Sequence, residues 1–290
     1  MLVAGFRLLA RLPLSWLHRA GAALGWLTYW SSPSYAARLR ENLRASGVCG
    51  GEAQCASVLR AAVAEAGKSV TELVAVWFGE DDEVARLVVE CERWGIVENA
   101  RSRGNGVIFL TPHLGCFEVS ALYGAQRMPL TVLYRPPKLG WIEPLMIAGR
   151  SRWQAVVAPA NLRGVRMLYK ALSRGESVGL LPDQAPGVGE GAWADFFGRP
   201  AYTMTLVKRL QQASGAAVIM AFAERLPAGR GYRLHLEELQ VRDFDEAALN
   251  RAVEAQVRRC PEQYLWSYNR YKVPAGAAAP PGTNGVSRDS

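Results

Sequence analysis

Val107-Ile108-Phe109-Leu110-Thr111-Pro112-His113-Leu114-Gly115-Cys116-Phe117-Glu118 reads as a strand, a turn and the start of a helix. The uninterrupted apolar run predicts a buried parallel strand, Pro112 ends it, and helical periodicity resumes after Gly115. His113 then lies on a strand-to-helix turn at the carboxyl edge of a sheet, where open α/β folds place their ligands. An imidazole titrates near neutrality, and a carboxylate on its second nitrogen fixes the tautomer and steadies the imidazolium. Glu118, five residues on, is the candidate orienting carboxylate for a base at His113. Spacing alone leaves open a structural histidine that caps a strand end.

The same strand-helix alternation continues outward. Strands are expected near 106–111, 130–135, 154–158, 177–182, 217–223 and 231–238, and helices near 116–126, 141–149, 161–174, 203–213 and 245–260. This order predicts an α/β fold with a mixed, largely parallel sheet flanked by helices. Residues 52–95 carry apolar positions at three- and four-residue intervals and read as helical scaffold. Residues 1–30 are rich in Leu, Ala and Trp but broken by Arg7, Arg11, Pro13, His18 and Arg19. No run of 18 uncharged apolar residues occurs there, so an amphipathic helix in the membrane interface is expected rather than a span or a cleaved signal. Packing of that helix on the domain is the compatible alternative. The expected organisation is a membrane-associating segment at 1–30, a catalytic domain at 31–272 and a disordered tail at 273–290.

Half of the 290 residues are hydrophobic, and the mean hydropathy of −0.01 is too polar for a multi-span membrane protein. A net charge of +8, from 34 Lys and Arg against 26 Asp and Glu, favours acidic partners. Nucleic acid is the weaker partner, since aromatics do not interleave with a basic run and no helix-turn-helix pattern stands out. The five cysteines are scattered and odd in number, without Cys-x-x-Cys or zinc spacing, and read as reduced thiols of a cytosolic compartment. Three histidines in the whole chain make a multi-histidine metal site a poor reading, so no metal is expected.

Further polar groups end other predicted strands. Arg135, in Tyr134-Arg135-Pro136, has the planar fork that binds phosphate or carboxylate. Asp183 and Gln184 close another strand, and the glycine- and aromatic-rich stretch from Gly187 to Gly198 reads as a loop that folds over a site or packs an acyl chain. Arg163 and Arg166 add charge to a helix start that is already positive. A surface salt bridge, a turn aspartate and a solvated basic face are the plain alternatives for these groups. Pro261-Glu262-Gln263-Tyr264-Leu265-Trp266 and Arg270-Tyr271-Lys272 read as core packing.

Taken in order, His113 with Glu118, Tyr134-Arg135-Pro136, the helix from Arg163, Asp183-Gln184, Phe196-Phe197-Gly198 with Thr203 and Thr205, and the 261–272 ending resemble the bacterial lipid A late acyltransferases. The resemblance covers roughly residues 5 to 272. It implies a glycerolipid-acyltransferase-like fold at the cytoplasmic face of a bacterial inner membrane; many family members carry a further spanning segment upstream, whereas this chain starts almost at the amphipathic stretch, so peripheral or monotopic attachment is expected. It implies His113 as general base with Glu118 orienting it, and Arg135, Arg163, Arg166, Asp183 and Gln184 in the substrate surround. The donor would be acylated acyl carrier protein, with no other cofactor, and the acceptor a hydroxyl of a phosphorylated lipid A precursor. Backbone N–H groups near Gly115 or an arginine would hold the oxyanion. Transfer would be direct, which leaves Cys116 no nucleophilic role. Where the family often has Asn-Pro, this chain has Pro137-Lys138-Leu139-Gly140-Trp141, so ornithine lipid, another glycolipid or a lysophospholipid stays open as acceptor. A non-catalytic membrane-surface binder is the reading from another class.

Overall fold

A computed structural model describes residues 2–280 apart from 92, 138, 241 and 243. Helices α1 (Leu2–Leu9), α2 (Leu14–Ser31), α3 (Pro33–Ala45), α4 (Glu52–Thr71), α5 (Leu73–Phe78) and α6 (Asp81–Ala85) come first. Then follow β1 (Val88–Glu90), α7 (Gly95–Ser102), β2 (Val107–Leu110), α8 (Phe117–Ala125), β3 (Leu130–Tyr134), α9 (Glu143–Arg150), β4 (Ala155–Pro159), α10 (Leu162–Ser173) and β5 (Ser177–Leu180). The chain closes with β6 (Gly191–Phe196), β7 (Arg199–Met204), α11 (Leu206–Ser214), β8 (Ala217–Arg225), β9 (Tyr232–Glu238) and α12 (Glu246–Arg259).

Seven strands form one sheet in the order β1-β9-β8-β2-β5-β3-β4, parallel except where β8 meets β9. β2 and β5 are buried along their whole length, as continuous apolar runs of a covered parallel sheet should be. The pleat divides the core. Ile108 and Leu110 pack under α3, α4, α10, α11 and α12, while Val107 and Phe109 pack under α5, α7 and α8. The fold is thus an α/β sandwich with a mostly parallel mixed sheet. The expected strands recur within one or two residues.

Two segments depart from expectation. Residues 191–204 form the antiparallel hairpin β6–β7, closed by Phe197 and Gly198 at φ 49° and 69°. Two positive φ values in a two-residue turn match the twist of paired strands. Phe196 and Phe197 are buried in the core, so this stretch is not an aromatic lid. The other departure concerns sulfur. Cys49 and Cys55 are joined in a disulfide, because the α3–α4 connection brings their Cα atoms to 5.2 Å, whereas Cys91, Cys116 and Cys260 are free. The expected tail falls partly on residues 281–290, outside the described residues.

Among the described residues no helix is long and apolar enough to cross a membrane. α2 instead packs on α4, backbone against backbone. A Cβ on Gly25 would stand 2.1 Å from the Val63 carbonyl, and one on Gly67 would stand 1.9 Å from that of Gly21. The opposite side of α2 leaves Trp16, Leu27 and Trp30 exposed.

A buried ionic cluster joins α2, α4, β8 and β9. Arg225, 4% exposed, donates from Nε and Nη2 to the two carboxylate oxygens of Glu72, 1% exposed, at 2.7 and 2.6 Å. Tyr232 donates to Glu72 at 2.8 Å, and His18 Nε2 stands 3.3 Å away. Burial alone raises the Glu72 carboxyl, but Arg225 and the bonds around it override that and hold its pKa at about 2. Its folded pKa lies below the unfolded value, so this stabilisation is present above about pH 4.5 and disappears as pH falls toward about 2. Glu72→Gln leaves Arg225 buried without its counter-charge and is expected to cost about 3–5 kcal/mol. Thermal unfolding at pH 7 measures this. The deficit should shrink in acid, and an unchanged melting temperature would refute the assignment.

Candidate active site

β2, β5, β3 and β4 are neighbours, and their carboxyl ends deliver four turns to one edge of the sheet. The turn after β2 carries His113, that after β5 carries Asp183 and Gln184, that after β3 carries Arg135, and α10 begins after β4. Thr111 N–H donates to the Leu180 carbonyl at 2.9 Å, which carries the β2–β5 pairing past the strands. The pairing sets the two turns side by side.

Asp183 holds His113 twice. The main-chain N–H of His113 donates to Oδ2 at 3.0 Å, and ring Nδ1 lies 3.0 Å from Oδ1. Asp183 is 1% exposed. Burial pushes its carboxyl up, but the charge and hydrogen bonds of His113 outweigh that and hold it below the usual range. An ionised partner on Nδ1 selects the tautomer with Nδ1–H and leaves Nε2 bare to accept a proton. The plane of the ring is set by Tyr268, stacked at 5.4 Å and 14°, and by Phe117, edge-on at 5.2 Å. Tyr268 is in turn fixed by the Ala185 N–H, which donates to its hydroxyl at 3.0 Å.

The carboxylate that meets the His113 ring is therefore Asp183 and not Glu118. Glu118 lies on the first turn of α8, where its side chain is directed at α9 and paired with Arg150, whose Nε donates to both carboxylate oxygens at 2.9 and 3.0 Å. Glu118 is buried and Arg150 half-buried, and the Arg150 guanidinium packs 5.9 Å from the Trp77 ring. Five residues of spacing cannot fold Glu118 back onto His113, because Gly115 and Cys116 run beside β8 before the helix starts.

That detour is enforced by contacts. Gly115 N–H donates to the Gln263 carbonyl, Cys116 N–H to the Ala223 carbonyl, and Arg225 Nη2 to the Gly115 carbonyl at 2.8 Å. Gly115 has φ +59°, and a Cβ there would stand 2.0 Å from the Ala223 oxygen, so only glycine fits. One expectation fails here. The N–H groups at Gly115 and Cys116 are engaged within the protein and are not free to hold an oxyanion. Cys116 is buried, and burial pushes its thiol well above the ordinary value, which removes it as a nucleophile.

The other basic residues spread along the edge. Arg135 is exposed and reaches the Ala185 carbonyl from Nη2 at 3.3 Å, next to Gln184. Arg163 and Arg166 are exposed on the first turns of α10, three strands from β2, roughly 14 Å at ordinary strand spacing. They do not converge on His113. Asn161 caps this helix by accepting from the Gly164 N–H at 3.1 Å. Arg150 and Tyr268 escape sequence reading. Arg150 sits in no motif, and Tyr268 lies in a segment that reads as core. That segment is anchored from α3, where Asn42 donates to the Trp266 and Tyr268 carbonyls at 2.8 and 3.3 Å.

Nitrogen NMR of the imidazole separates the two carboxylates. Asp183→Asn is expected to remove the preference for Nδ1–H and to lower kcat by about 10²- to 10⁴-fold. Glu118→Gln should leave Nδ1 protonated. The same tautomer signature from both variants would return the orienting role to Glu118.

Similarity to known proteins bears on what this site belongs to. The sequence model described as bacterial lipid A biosynthesis acyltransferase matches residues 1–273. The chain is similar to the lipid A biosynthesis palmitoleoyltransferase of Escherichia coli K12, 30% identical over 221 residues, 73% of this chain and 71% of the relative. It is also similar to the lipid A biosynthesis lauroyltransferase of the same organism, 26% identical over 276 residues, 92% and 88% of the two chains. A lipid A biosynthesis acyltransferase of Haemophilus influenzae is 26% identical over 175 residues, 59% of this chain and 55% of the relative. The chain belongs to the bacterial lipid A biosynthesis acyltransferase family and is an acyltransferase.

Proposed function

We propose that this protein moves a fatty acyl chain from the thioester of acyl carrier protein onto a hydroxyl of a lipid A precursor, with His113 as general base. The observation that carries the proposal is the Asp183–His113 pair, an imidazole with Nδ1 held by a buried carboxylate and Nε2 left to face the Gln184 amide at 3.5 Å. A hydroxyl is too weak an acid to attack a thioester at neutral pH unless a base takes its proton during attack. Nε2 accepts that proton, and Asp183 offsets the positive charge that appears on the ring. The thiolate that leaves then takes the proton back. Arg135 near His113 and Arg163 and Arg166 farther along the edge suit an acceptor with well-separated phosphates. A net charge of +8 suits an acidic carrier protein as well.

The acceptor is a lipid, so the protein must meet a bilayer. Trp16, Leu27 and Trp30, 60%, 61% and 72% exposed, lie on the side of α2 that faces away from the domain, with Arg11 and Arg19 exposed nearby. Exposed aromatic residues beside arginines are the pattern of an interfacial helix. The attachment we propose is peripheral, on the cytoplasmic face of the inner membrane.

Incubation with acylated carrier protein, membranes and phosphorylated tetra-acyl lipid A precursor should add one acyl chain, read by mass. His113→Ala is expected to lower the rate by at least ~10²-fold, and full activity in that variant would end the proposal. Trp16→Glu combined with Trp30→Glu should release the folded protein from anionic vesicles, since both side chains lie outside the core. Undiminished sedimentation with lipid would refute the interfacial role of α2.

A further inference from the structure

Acyl transfer needs a donor for the oxyanion, and the main-chain N–H groups from His113 to Cys116 are all engaged within the protein. His113 N–H is bonded to Asp183, Leu114 N–H to the Pro112 carbonyl, Gly115 N–H to Gln263 and Cys116 N–H to Ala223. Phe117 and Tyr268 present their rings to the imidazole. Gln184 differs from all of these. It follows Asp183 directly, is half-buried, and its side-chain amide nitrogen lies 3.5 Å from His113 Nε2. Nε2 is the ring nitrogen that Asp183 leaves without a proton. The amide therefore sits over the lone pair that an attacking hydroxyl must occupy.

We infer that Gln184 is a catalytic residue whose amide N–H binds the oxyanion of the tetrahedral intermediate. This rests on the acyl-transfer reading above. Before substrate binds, the amide N–H rests near the Nε2 lone pair. An acceptor hydroxyl donating to Nε2 takes that lone pair and frees the amide to point into the same small space. A carbonyl carbon under attack there has its oxygen within about 3 Å of the amide nitrogen, the distance an oxyanion donor requires. In the step itself the acceptor oxygen bonds to the thioester carbon and its proton passes to Nε2. The carbonyl π pair moves onto oxygen, where the Gln184 N–H meets it. On collapse that pair re-forms the carbonyl, the C–S bond breaks, and sulfur leaves with its electron pair and takes the proton from Nε2. No further reactant is needed. Arg135 is the competing donor, but it is exposed and already committed by Nη2 to the Ala185 carbonyl.

The test uses the full chain with acylated carrier protein and lipid A precursor. Gln184→Met keeps the length of the side chain and removes its donors, and Gln184→Glu keeps its shape and places a negative charge against the oxyanion. Both should lower kcat by about 10²- to 10³-fold, while KM for donor and acceptor changes less than about threefold. Arg135→Met is expected to raise KM for the acceptor instead. The inference is overturned if both Gln184 variants keep kcat, per folded molecule, within about tenfold of the parent. It is equally overturned if Arg135→Met carries the kcat loss, or if the Gln184 variants act through KM alone. A parent protein that transfers no acyl chain refutes the acyl-transfer reading itself, whereas an active parent with unaffected Gln184 variants refutes only the oxyanion role.

Discussion

The Arg225 guanidinium lies where the catalytic turn, the sheet and the N-terminal helices meet. It is buried, bonded through two nitrogens to Glu72 on the turn after α4 and through Nη2 to the Gly115 carbonyl. Taking two charges out of water costs several kcal/mol for each, so such a pair adds little stability compared with apolar residues of the same volume. Its effect is geometric. With its other donors directed at Glu72 and Glu65, Arg225 fixes the position of the Gly115 carbonyl, and Gly115 at φ +59° directs the chain along β8. His113 is two residues upstream. If the cluster shifted, the imidazole would lose its register against Asp183.

Two carboxylates lie on the elements around His113 and have different work. Asp183 is close, buried and bonded to both the main chain and the ring of His113. Glu118 faces the other way and keeps Arg150 in place against Trp77. In effect, α8 and α9 are clamped by the Glu118–Arg150 pair and the His113 ring is held by Asp183.

The fold was legible from local pattern. β2, β3, β4, β5, β8 and β9 fall where apolar runs predict strands, because burial on both faces of a parallel sheet requires such runs. The hairpin at 191–204 was not legible, since Gly191 at its start and a turn built on Phe197 and Gly198 hide the strand alternation. β1, at three residues, is too short to leave a periodic trace. The cysteine pair was also hidden, because six residues of separation say nothing about whether a turn brings two Cα atoms to bonding distance.

At the site the division is sharper. The sequence by itself determined that His113 would stand on a strand-to-helix turn at the carboxyl edge of a sheet, and that Asp183, Gln184 and Arg135 would end other strands. Those are consequences of local hydrophobic periodicity and of where proline and glycine break it. Which carboxylate meets His113 was decided only by tertiary structure. Asp183 is 70 residues away and arrives because β5 pairs with β2, whereas Glu118, five residues away, is carried off by the detour of Gly115 along β8. Proximity along the chain does not survive a turn, and strand pairing creates proximity that no spacing records.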